Sequence, residues 1–362
     1  VFIHLSVGQN WLADDNGQLG IALRDNNYFV SDTNYGWGPD AIGDSTDIGE
    51  WYTWFRGPGS ATYTSAMFAE GGQSFAFSRL AADPGGENRI VVLKSCFVNS
   101  AVQGGTGDPV PAIDGNPLRG ENDSSPYMTY ANARGIYIDL LNYFRTRPDK
   151  LFILCTTPPV ADGTWSANAR ALNEWLVNDW LTGYPYPNVA VFDLYNTLTT
   201  NGGDPSVNDL GQPTGNHHRF RDGAIERITN GDDDGNGNVL EYASSEGADH
   251  PTQAGNLKAT GEFLPLLNIH YNRWRAFRGP APSSSIVVGR GAYAAGGGWM
   301  DVFNGASSGY SPRSQFMLPW AAYNAANGAT RVAAGDVDGD GRDEIVVGLG
   351  SYAAVGGWLC VF

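Results

Sequence analysis

Four short apolar runs constrain the fold of this chain more than any other feature. Each is rich in β-branched or aromatic residues and is followed by polar residues or by glycine and proline. The runs are residues 1–6 (VFIHLS), 90–96 (IVVLKSC), 151–156 (LFILCT) and 189–193 (VAVFD). Continuous apolar runs of this length are typical of strands buried on both faces, as in a parallel sheet. The sequence therefore predicts buried parallel strands at these four places.

Stretches with helical spacing of apolar residues lie between and after these runs. They cover residues 126–146, 166–182 and 252–275, with Ser166 as a predicted N-cap and Pro251 just before the last one. Strands that alternate with helices form βαβ crossovers and a doubly wound sheet. We therefore predict that residues 1–278 form an α/β domain.

The character of the sequence changes at residues 279–285 (GPAPSSS), which read as a Pro/Ser linker. Beyond it there is no helical pattern, only short strand-like runs separated by glycine. An internal repeat is present, because IVVG at Ile286 and IVVG at Ile345 are each followed by an aligned YAA…GGW…VF segment, and the two copies start 59 residues apart. Residues 286–362 are therefore predicted to form a small antiparallel β unit.

An acidic loop precedes the second copy of the repeat, in the sequence GDVDGDGRDEIVV. Calcium requires six to eight oxygen ligands, which alternate positions of a sharply turned loop can supply. The predicted ligands are the carboxylates of Asp336, Asp338, Asp340 and Glu344 and the carbonyl of Arg342. This loop, followed by an IVVG strand, resembles the FG-GAP/VCBS repeat of extracellular β-propellers. The resemblance implies that residues 286–362 are similar to one propeller blade, stabilised by calcium.

A second acidic segment has the same spacing in its first half. Asp232, Asp234 and Asn236 stand at positions 1, 3 and 5 of a loop, but the acid that would close the site is misplaced, since Glu241 is at position 10. Two interpretations stay open for this segment, a second calcium site and a solvated acidic loop.

Composition restricts the partners and the location of the chain. The 22 Lys and Arg against 38 Asp and Glu give a net charge of −16, which argues against binding to nucleic acid or anionic membranes. No apolar run approaches the roughly 18 residues of a spanning helix. The chain opens on a strand without an initiator Met, as a processed secretory precursor would, and so would a chain lacking its first residues. We predict a secreted, extracellular protein.

A serine at the end of the first strand and a histidine before the last helix predict a hydrolytic site. Ser6 follows the first apolar run, and Ala248-Asp249-His250-Pro251 precedes the last helical stretch. This order resembles that of the GDSL/SGNH hydrolases over about residues 1–275. The resemblance implies a flavodoxin-like three-layer α/β/α fold, with Ser6 as nucleophile and His250 as general base. It also implies oxyanion donors in the Ser6 amide, Gly8 and Asn99.

The chain departs from that family's pattern at several positions. The Gly-Asp that usually precedes the serine is His4-Leu5, and Gly247 stands where the acid is usually found, three residues before the histidine. Two alternative acids stay open, Asp249, which is adjacent to His250, and Glu246, which is four residues before it. The family's Gly-x-Asn-Asp block is not visible near Asn99.

Two functions follow from these observations. The first is a secreted esterase-like hydrolase of O-acyl esters, with a small ester or an acylated carbohydrate as substrate. Trp11, Trp51 and Trp54 could stack on sugar rings, and core packing explains them equally well. The second is a catalytically silent extracellular structural or adhesive subunit. A single repeat leaves open β edges, through which such a subunit would assemble into a homo-oligomer or filament.

Overall fold

The computed structural model divides the chain into two compact units, residues 1–274 and residues 275–362. The described residues are 1–199, 218–221, 224–227, 238–243, 249–277, 286–289, 298–303, 311–318, 321–325, 329–335, 344–349 and 359–361.

The first unit contains a five-stranded sheet in which every neighbouring pair of strands is parallel. Its strands are β1 (Phe2–Ile3), β2 (Asp32–Thr33), β3 (Ile90–Lys94), β4 (Leu151–Cys155) and β5 (Val189–Phe192). Their order across the sheet is β2-β1-β3-β4-β5. All four apolar runs are therefore confirmed as strands of one parallel sheet.

The two faces of the sheet are both buried, which is why its strands are continuously apolar. Along β4, Phe152 and Leu154 point into one apolar cluster, while Leu151 and Ile153 point into a second cluster on the opposite face. This alternation is the two-residue period of a strand. A half-buried strand would have been polar at every second position.

Helices cover both faces of the sheet. Their bounds are α1 (Ser6–Leu12), α2 (Leu19–Asp25), α3 (Trp51–Phe55), α4 (Ser60–Ala69), α5 (Tyr130–Phe144), α6 (Ser166–Asn178), α7 (Leu194–Leu198) and α8 (Gln253–Ala276). The helices α3 to α6 contribute to one apolar cluster, and α1, α2, α7 and α8 contribute to the other. No helix within the described ranges is both long enough and apolar enough to cross a membrane.

Three of these helices, α5, α6 and α8, lie where the apolar spacing predicts them. The start of α6 differs in detail, because Ser166 is its first residue and its hydroxyl donates to the carbonyl of Gly163 at 2.9 Å instead of capping the helix. Strand β2 was not predicted, since Asp32 and Thr33 are polar. Asp32 is nevertheless buried, because the imidazole of His4 on β1 lies 3.1 Å from its carboxylate.

A two-stranded antiparallel ribbon also belongs to the first unit. It consists of β6 (His218–Arg221) and β7 (Ala224–Arg227).

The second unit contains two three-stranded antiparallel sheets, as the repeat predicts. One holds β8 (Ile286–Gly289), β9 (Trp299–Phe303) and β10 (Pro312–Met317), and the other holds β11 (Thr330–Gly335), β12 (Glu344–Leu349) and β13 (Leu359–Val361). A short helix, α9 (Ala321–Ala325), lies between them in sequence. The prediction of no helix beyond the linker is therefore wrong. The apolar side chains of Leu318 and Tyr323 contribute to the small core of this unit.

The two copies of the repeat pair in the same register. Val287 faces Val302 in the first copy, and Val346 faces Val361 in the second, so each residue is paired with the equivalent partner. The same side chains at the same positions therefore produce the same hairpin twice. The linker at residues 279–285 lies outside the described residues.

Candidate active site

Ser6 lies where the chain leaves the central strand β1 and begins helix α1. The residue before it, Leu5, is extended, with φ −120° and ψ −152°, so the change from strand to helix occurs at Ser6 itself. This turn lies at the carboxyl edge of the sheet, where ligands of doubly wound proteins bind. The Ser6 side chain is half-buried and therefore accessible from solvent.

His250 lies in a short segment that is held at both ends before α8 begins. On one side, the carboxylate of Asp249 accepts a hydrogen bond from the amide of Ala161 at 2.9 Å. On the other side, Pro251 forms a bridge with Ala243, and the next amide donates to the carbonyl of Tyr242 at 2.7 Å. The backbone on either side of His250 is thus held to neighbouring segments.

These two elements bring Ser6 and His250 together. The Nε2 atom of His250 lies 2.9 Å from the Ser6 hydroxyl oxygen, which is hydrogen-bond distance. Ser6 is the only hydrogen-bond partner of the His250 ring among the described residues. Asp249 directs its carboxylate to the Ala161 amide instead of the imidazole. The arrangement is a Ser–His pair in which Nε2 can accept the hydroxyl proton.

The pair lies at the point where the strand order reverses. The chain leaves β1 to form β2 on one side and then crosses to β3 on the other side, so the switch point lies between β1 and β3. Ser6 follows β1, and Phe97, which follows β3, contacts the His250 ring edge-to-face with centroids 5.2 Å apart. Phe97 belongs to none of the sequence motifs described above. Its place just after a predicted central strand was the signal available.

Asn99 also follows β3, but its side-chain amide forms hydrogen bonds to the neighbouring loop segments. Its nitrogen donates to the carboxylate of Asp47 at 2.5 Å and to the carbonyl of Cys96 at 3.2 Å, and its oxygen accepts from the Ile48 amide at 2.7 Å. Asn99 is fully buried. With both amide hydrogens already donated, this side chain is committed to fixing the loop and is not directed to an oxyanion.

Two carboxyl groups beside Asn99 have perturbed acidity. Burial raises the pKa of Asp47, against the opposing effect of its hydrogen bond from Asn99. Burial also raises the pKa of Glu50 to about 7, and the nearby Asp47 carboxylate adds to the shift. The carboxyl group of Glu50 is therefore partly protonated near neutral pH.

The three tryptophans considered as sugar platforms belong to the core. Trp11, Trp51 and Trp54 are at most 1% exposed. Each indole N–H is satisfied internally, by Thr260, by Ser95 and by the carbonyl of Ser45 respectively. Their interpretation as sugar-stacking residues is therefore wrong, and the alternative of core packing is correct.

Gly8, in the first turn of α1, lies against the side chain of His4. A Cβ atom added at Gly8 would lie 2.3 Å from the Cβ of His4. His4 cannot move aside easily, because its ring lies between the Asp32 carboxylate at 3.1 Å and the carbonyl of Leu5 at 2.9 Å. Glycine is therefore required for α1 to approach β1 and for Ser6 to stand where it does.

We expect Gly8→Ala to lower the free energy of unfolding by about 1–3 kcal/mol, because a methyl group is forced into a filled space. Chemical denaturation measures the effect. The matched control is Gly261→Ala in α8, where an added Cβ meets nothing within 4 Å. That change should raise stability by up to about 1 kcal/mol, as alanine is the better helix former. Equal stability of Gly8→Ala and the parent chain would contradict the close contact.

The predicted calcium ligands lie mostly outside the described residues. This holds for Asp336, Asp338, Asp340 and Arg342, and for Asp232, Asp234 and Asn236. Glu344 is the first residue of β12, paired with Gly335 at the end of β11, so the predicted loop joins two adjacent antiparallel strands. Where the structure describes the chain, no group of three or more His, Cys, Asp or Glu residues could hold a metal ion.

Two of the three cysteines of the chain, Cys96 and Cys155, are free thiols. Cys155 is buried and Cys96 is half-buried. Burial raises the pKa of both, that of Cys155 to about 12, so neither is activated as a thiolate. Neither of these two thiols is therefore a reactive nucleophile.

Comparison with known proteins identifies no relative for this chain. No protein-family model matches it, and neither do curated proteins or solved structures.

Proposed function

We propose that this protein is a secreted serine hydrolase of the GDSL/SGNH type that cleaves O-acyl esters, either small esters or acyl groups on carbohydrate. The 2.9 Å distance between the Ser6 hydroxyl and His250 Nε2 is the observation that carries the proposal. Three further features support it. The pair is half-buried and reachable, it lies at the carboxyl edge of a parallel sheet, and the strand order 2-1-3-4-5 is the flavodoxin-like one.

The chemistry follows from the direction of the hydrogen bond. Nε2 must accept the Ser6 proton, so the neutral imidazole carries its own proton on Nδ1. As Ser6 Oγ attacks the ester carbonyl carbon, its proton moves to Nε2. The resulting imidazolium then donates that proton to the leaving alcohol oxygen when the ester C–O bond breaks. Water repeats the sequence on the acyl-enzyme and releases the acid.

The negative charge that develops on the carbonyl oxygen needs hydrogen-bond donors. The amides of Ser6 and Gly8 lie in the first turn of α1, where backbone N–H groups have no acceptor within the helix. They are the donors that we propose for the oxyanion. The resemblance to the family implied Asn99 as a third donor. We do not include it, because its amide nitrogen donates to Asp47 and Cys96.

The proposed site is a dyad, since within the described residues no carboxylate contacts the His250 ring. A triad carboxylate holds the imidazole in the correct tautomer and stabilises the imidazolium. A dyad without it turns over more slowly, and other contacts must orient the ring. Hydrolysis of p-nitrophenyl acetate by the parent chain and by Ser6→Ala tests the proposal. Equal rates would refute it.

We also propose that residues 336–344 bind calcium and that the metal stabilises the β-repeat. Support comes from the alternating carboxylates and from the β11–β12 hairpin on either side of them. Calcium at a hundred times its Kd should stabilise the folded state of the second unit by about 2.7 kcal/mol, because it binds the folded chain and not the unfolded one. The temperature at which this unit unfolds should therefore rise. Scanning calorimetry with calcium or EGTA measures this.

Three variants distinguish the sources of the calcium response. Asp338→Asn should abolish a response that arises in the tail, and Asp234→Asn should abolish one that arises in the second acidic segment. Asp25→Asn, a change of equal charge at an exposed residue of α2, should leave it unchanged. A parent chain that melts identically in calcium and in EGTA would contradict the site.

A further inference from the structure

Phe97 is the side chain that packs against the His250 ring. The two rings meet edge-to-face, with centroids 5.2 Å apart and an interplanar angle of 67°. We propose that Phe97 is a positioning residue, which holds the imidazole in the orientation that faces Ser6, without supplying the negative charge that a carboxylate supplies in a triad. This inference rests on the proposed hydrolase function and names a determinant of the same site.

The need for such a residue follows from the surroundings of His250. Its backbone is held by the Asp249 hydrogen bond to Ala161 and by the bridge at Pro251. A fixed backbone does not fix the ring, which can still rotate about its two side-chain torsions. Among the described residues, the ring makes one hydrogen bond, to Ser6, and one aromatic ring contact, with Phe97.

The segment that carries Phe97 is rigid enough to orient another side chain. Phe97 begins a 3-10 turn, Phe97–Ser100, directly after β3. Within that turn, Asn99 is held by three hydrogen bonds, to Asp47, Ile48 and Cys96. The hydroxyl of Ser100 donates to the carbonyl of Pro158 at 2.7 Å and lies 3.0 Å from the Thr157 hydroxyl. Both side chains are buried.

These contacts indicate that the buried Asn99 stabilises the turn that carries Phe97. An amide that is fully engaged with Asp47, Ile48 and Cys96 supports the turn, and the turn presents Phe97 to the imidazole. Edge-to-face packing is the preferred arrangement of two aromatic rings, so Phe97 favours one ring orientation over its rotated alternatives. That orientation is the one in which Nε2 reaches the Ser6 hydroxyl.

The test replaces the aromatic ring while keeping an apolar side chain of similar size. We expect Phe97→Leu to lower kcat for p-nitrophenyl acetate about three- to tenfold, the range that an aromatic pair supports. KM should stay within about twofold, because the ester is not bound by Phe97. Phe97→Tyr retains the ring and should restore most of the lost rate.

A spectroscopic measurement separates positioning from a general loss of structure. The chain has five histidines, so their ring signals in a proton–carbon correlation spectrum can be assigned by substitution. Phe97→Leu should move the His250 signal, because the neighbouring ring current is lost, and Phe97→Tyr should leave it close to its original position.

Phe75→Leu is the matched control. Phe75 is also half-buried and also meets a histidine edge-to-face, with its ring centroid 6.4 Å from that of His4. Its replacement should move the His4 signal and leave kcat unchanged.

The outcomes distinguish this inference from the function on which it rests. Parental kcat and an unmoved His250 signal in Phe97→Leu, together with an inactive Ser6→Ala, would overturn the role of Phe97 alone. Activity in Ser6→Ala equal to that of the parent chain would overturn the hydrolase itself. If Phe97→Leu does not fold, Phe97→Met, whose flexible side chain adapts to the space, provides the same comparison.

Discussion

Ser6→Ala is expected to lower kcat/KM for p-nitrophenyl acetate by about a thousandfold or more, because the substitution removes the hydroxyl that we propose as the nucleophile. His250→Gln should cause a loss of similar size, since a glutamine cannot accept the hydroxyl proton. The double variant should be no slower than either single one, as the two side chains act as a unit at 2.9 Å. Stopped-flow and steady-state hydrolysis assays measure all three rates.

Ser60→Ala is the matched control for this experiment. Ser60 is the first residue of α4, as Ser6 is the first residue of α1, so the same substitution is made at the same position of a helix. Its hydrolysis rate should equal that of the parent chain. An organophosphorus probe gives a second readout, because it should add its mass to the parent chain and to Ser60→Ala but not to Ser6→Ala. Labelling of Ser6→Ala at full stoichiometry would place the nucleophile elsewhere.

Lys94→Met is expected to raise the free energy of unfolding at pH 7 by about 3 kcal/mol, because it removes the cost of a buried charge. Lys94 ends β3, is 1% exposed, and donates to the carbonyl of Ser95 at 3.0 Å. No carboxylate pairs with it among the described residues. Burial accordingly lowers the pKa of its ammonium group from 10.5 to about 8.

The lowered pKa fixes the sign of the pH dependence. Between about pH 8 and pH 10.5 the unfolded chain holds a proton on Lys94 that the folded chain has released. The free energy of unfolding of the parent chain therefore rises with pH across that window. Below about pH 8 the full cost of burying the charged ammonium group of Lys94 is present. The advantage of Lys94→Met over the parent chain should accordingly shrink from pH 7 to pH 10. The difference in free energy of unfolding between the two chains cancels the contribution of the other titrating groups, which both chains share.

Lys150→Met supplies the control. Lys150 is also buried, but its ammonium group lies 2.7 Å from the carboxylate of Glu87 and packs over the Phe68 ring. Removing it loses those contacts, so this substitution should be neutral or destabilising at pH 7. Urea denaturation at several pH values compares the three chains. Destabilisation by Lys94→Met at pH 7 would show that its charge is compensated.

Local patterns in the sequence were sufficient for the parallel sheet. Strands such as β3 and β4 are predicted because both of their faces are buried, so almost every residue is apolar. Strand β2 was missed for the opposite reason. Asp32 has no local preference for a strand, and it is buried only because His4 and Ser74, far away in the sequence, provide hydrogen bonds.

The same division applies to the candidate site. The order of the elements placed Ser6 after the first strand and His250 before the last helix, which the sequence alone could indicate. The family resemblance also implied that Asn99 would face an oxyanion, and for Trp51 the sequence left sugar stacking and core packing equally open. Both side chains are instead buried by contacts with distant segments, Asn99 with Asp47 and Trp51 with Ser95.

The sequence by itself determined four of the five parallel strands, the three helices α5, α6 and α8, and the repeat in the second unit. It also indicated Ser6 and His250 as candidate site residues. These depend on composition and spacing within short windows. Only the tertiary structure decided that Nε2 of His250 reaches the Ser6 hydroxyl, that Asp249 turns away, and that Phe97 packs against the imidazole. Such contacts join residues that are far apart in the chain, and packing alone selects among the directions that each side chain could take.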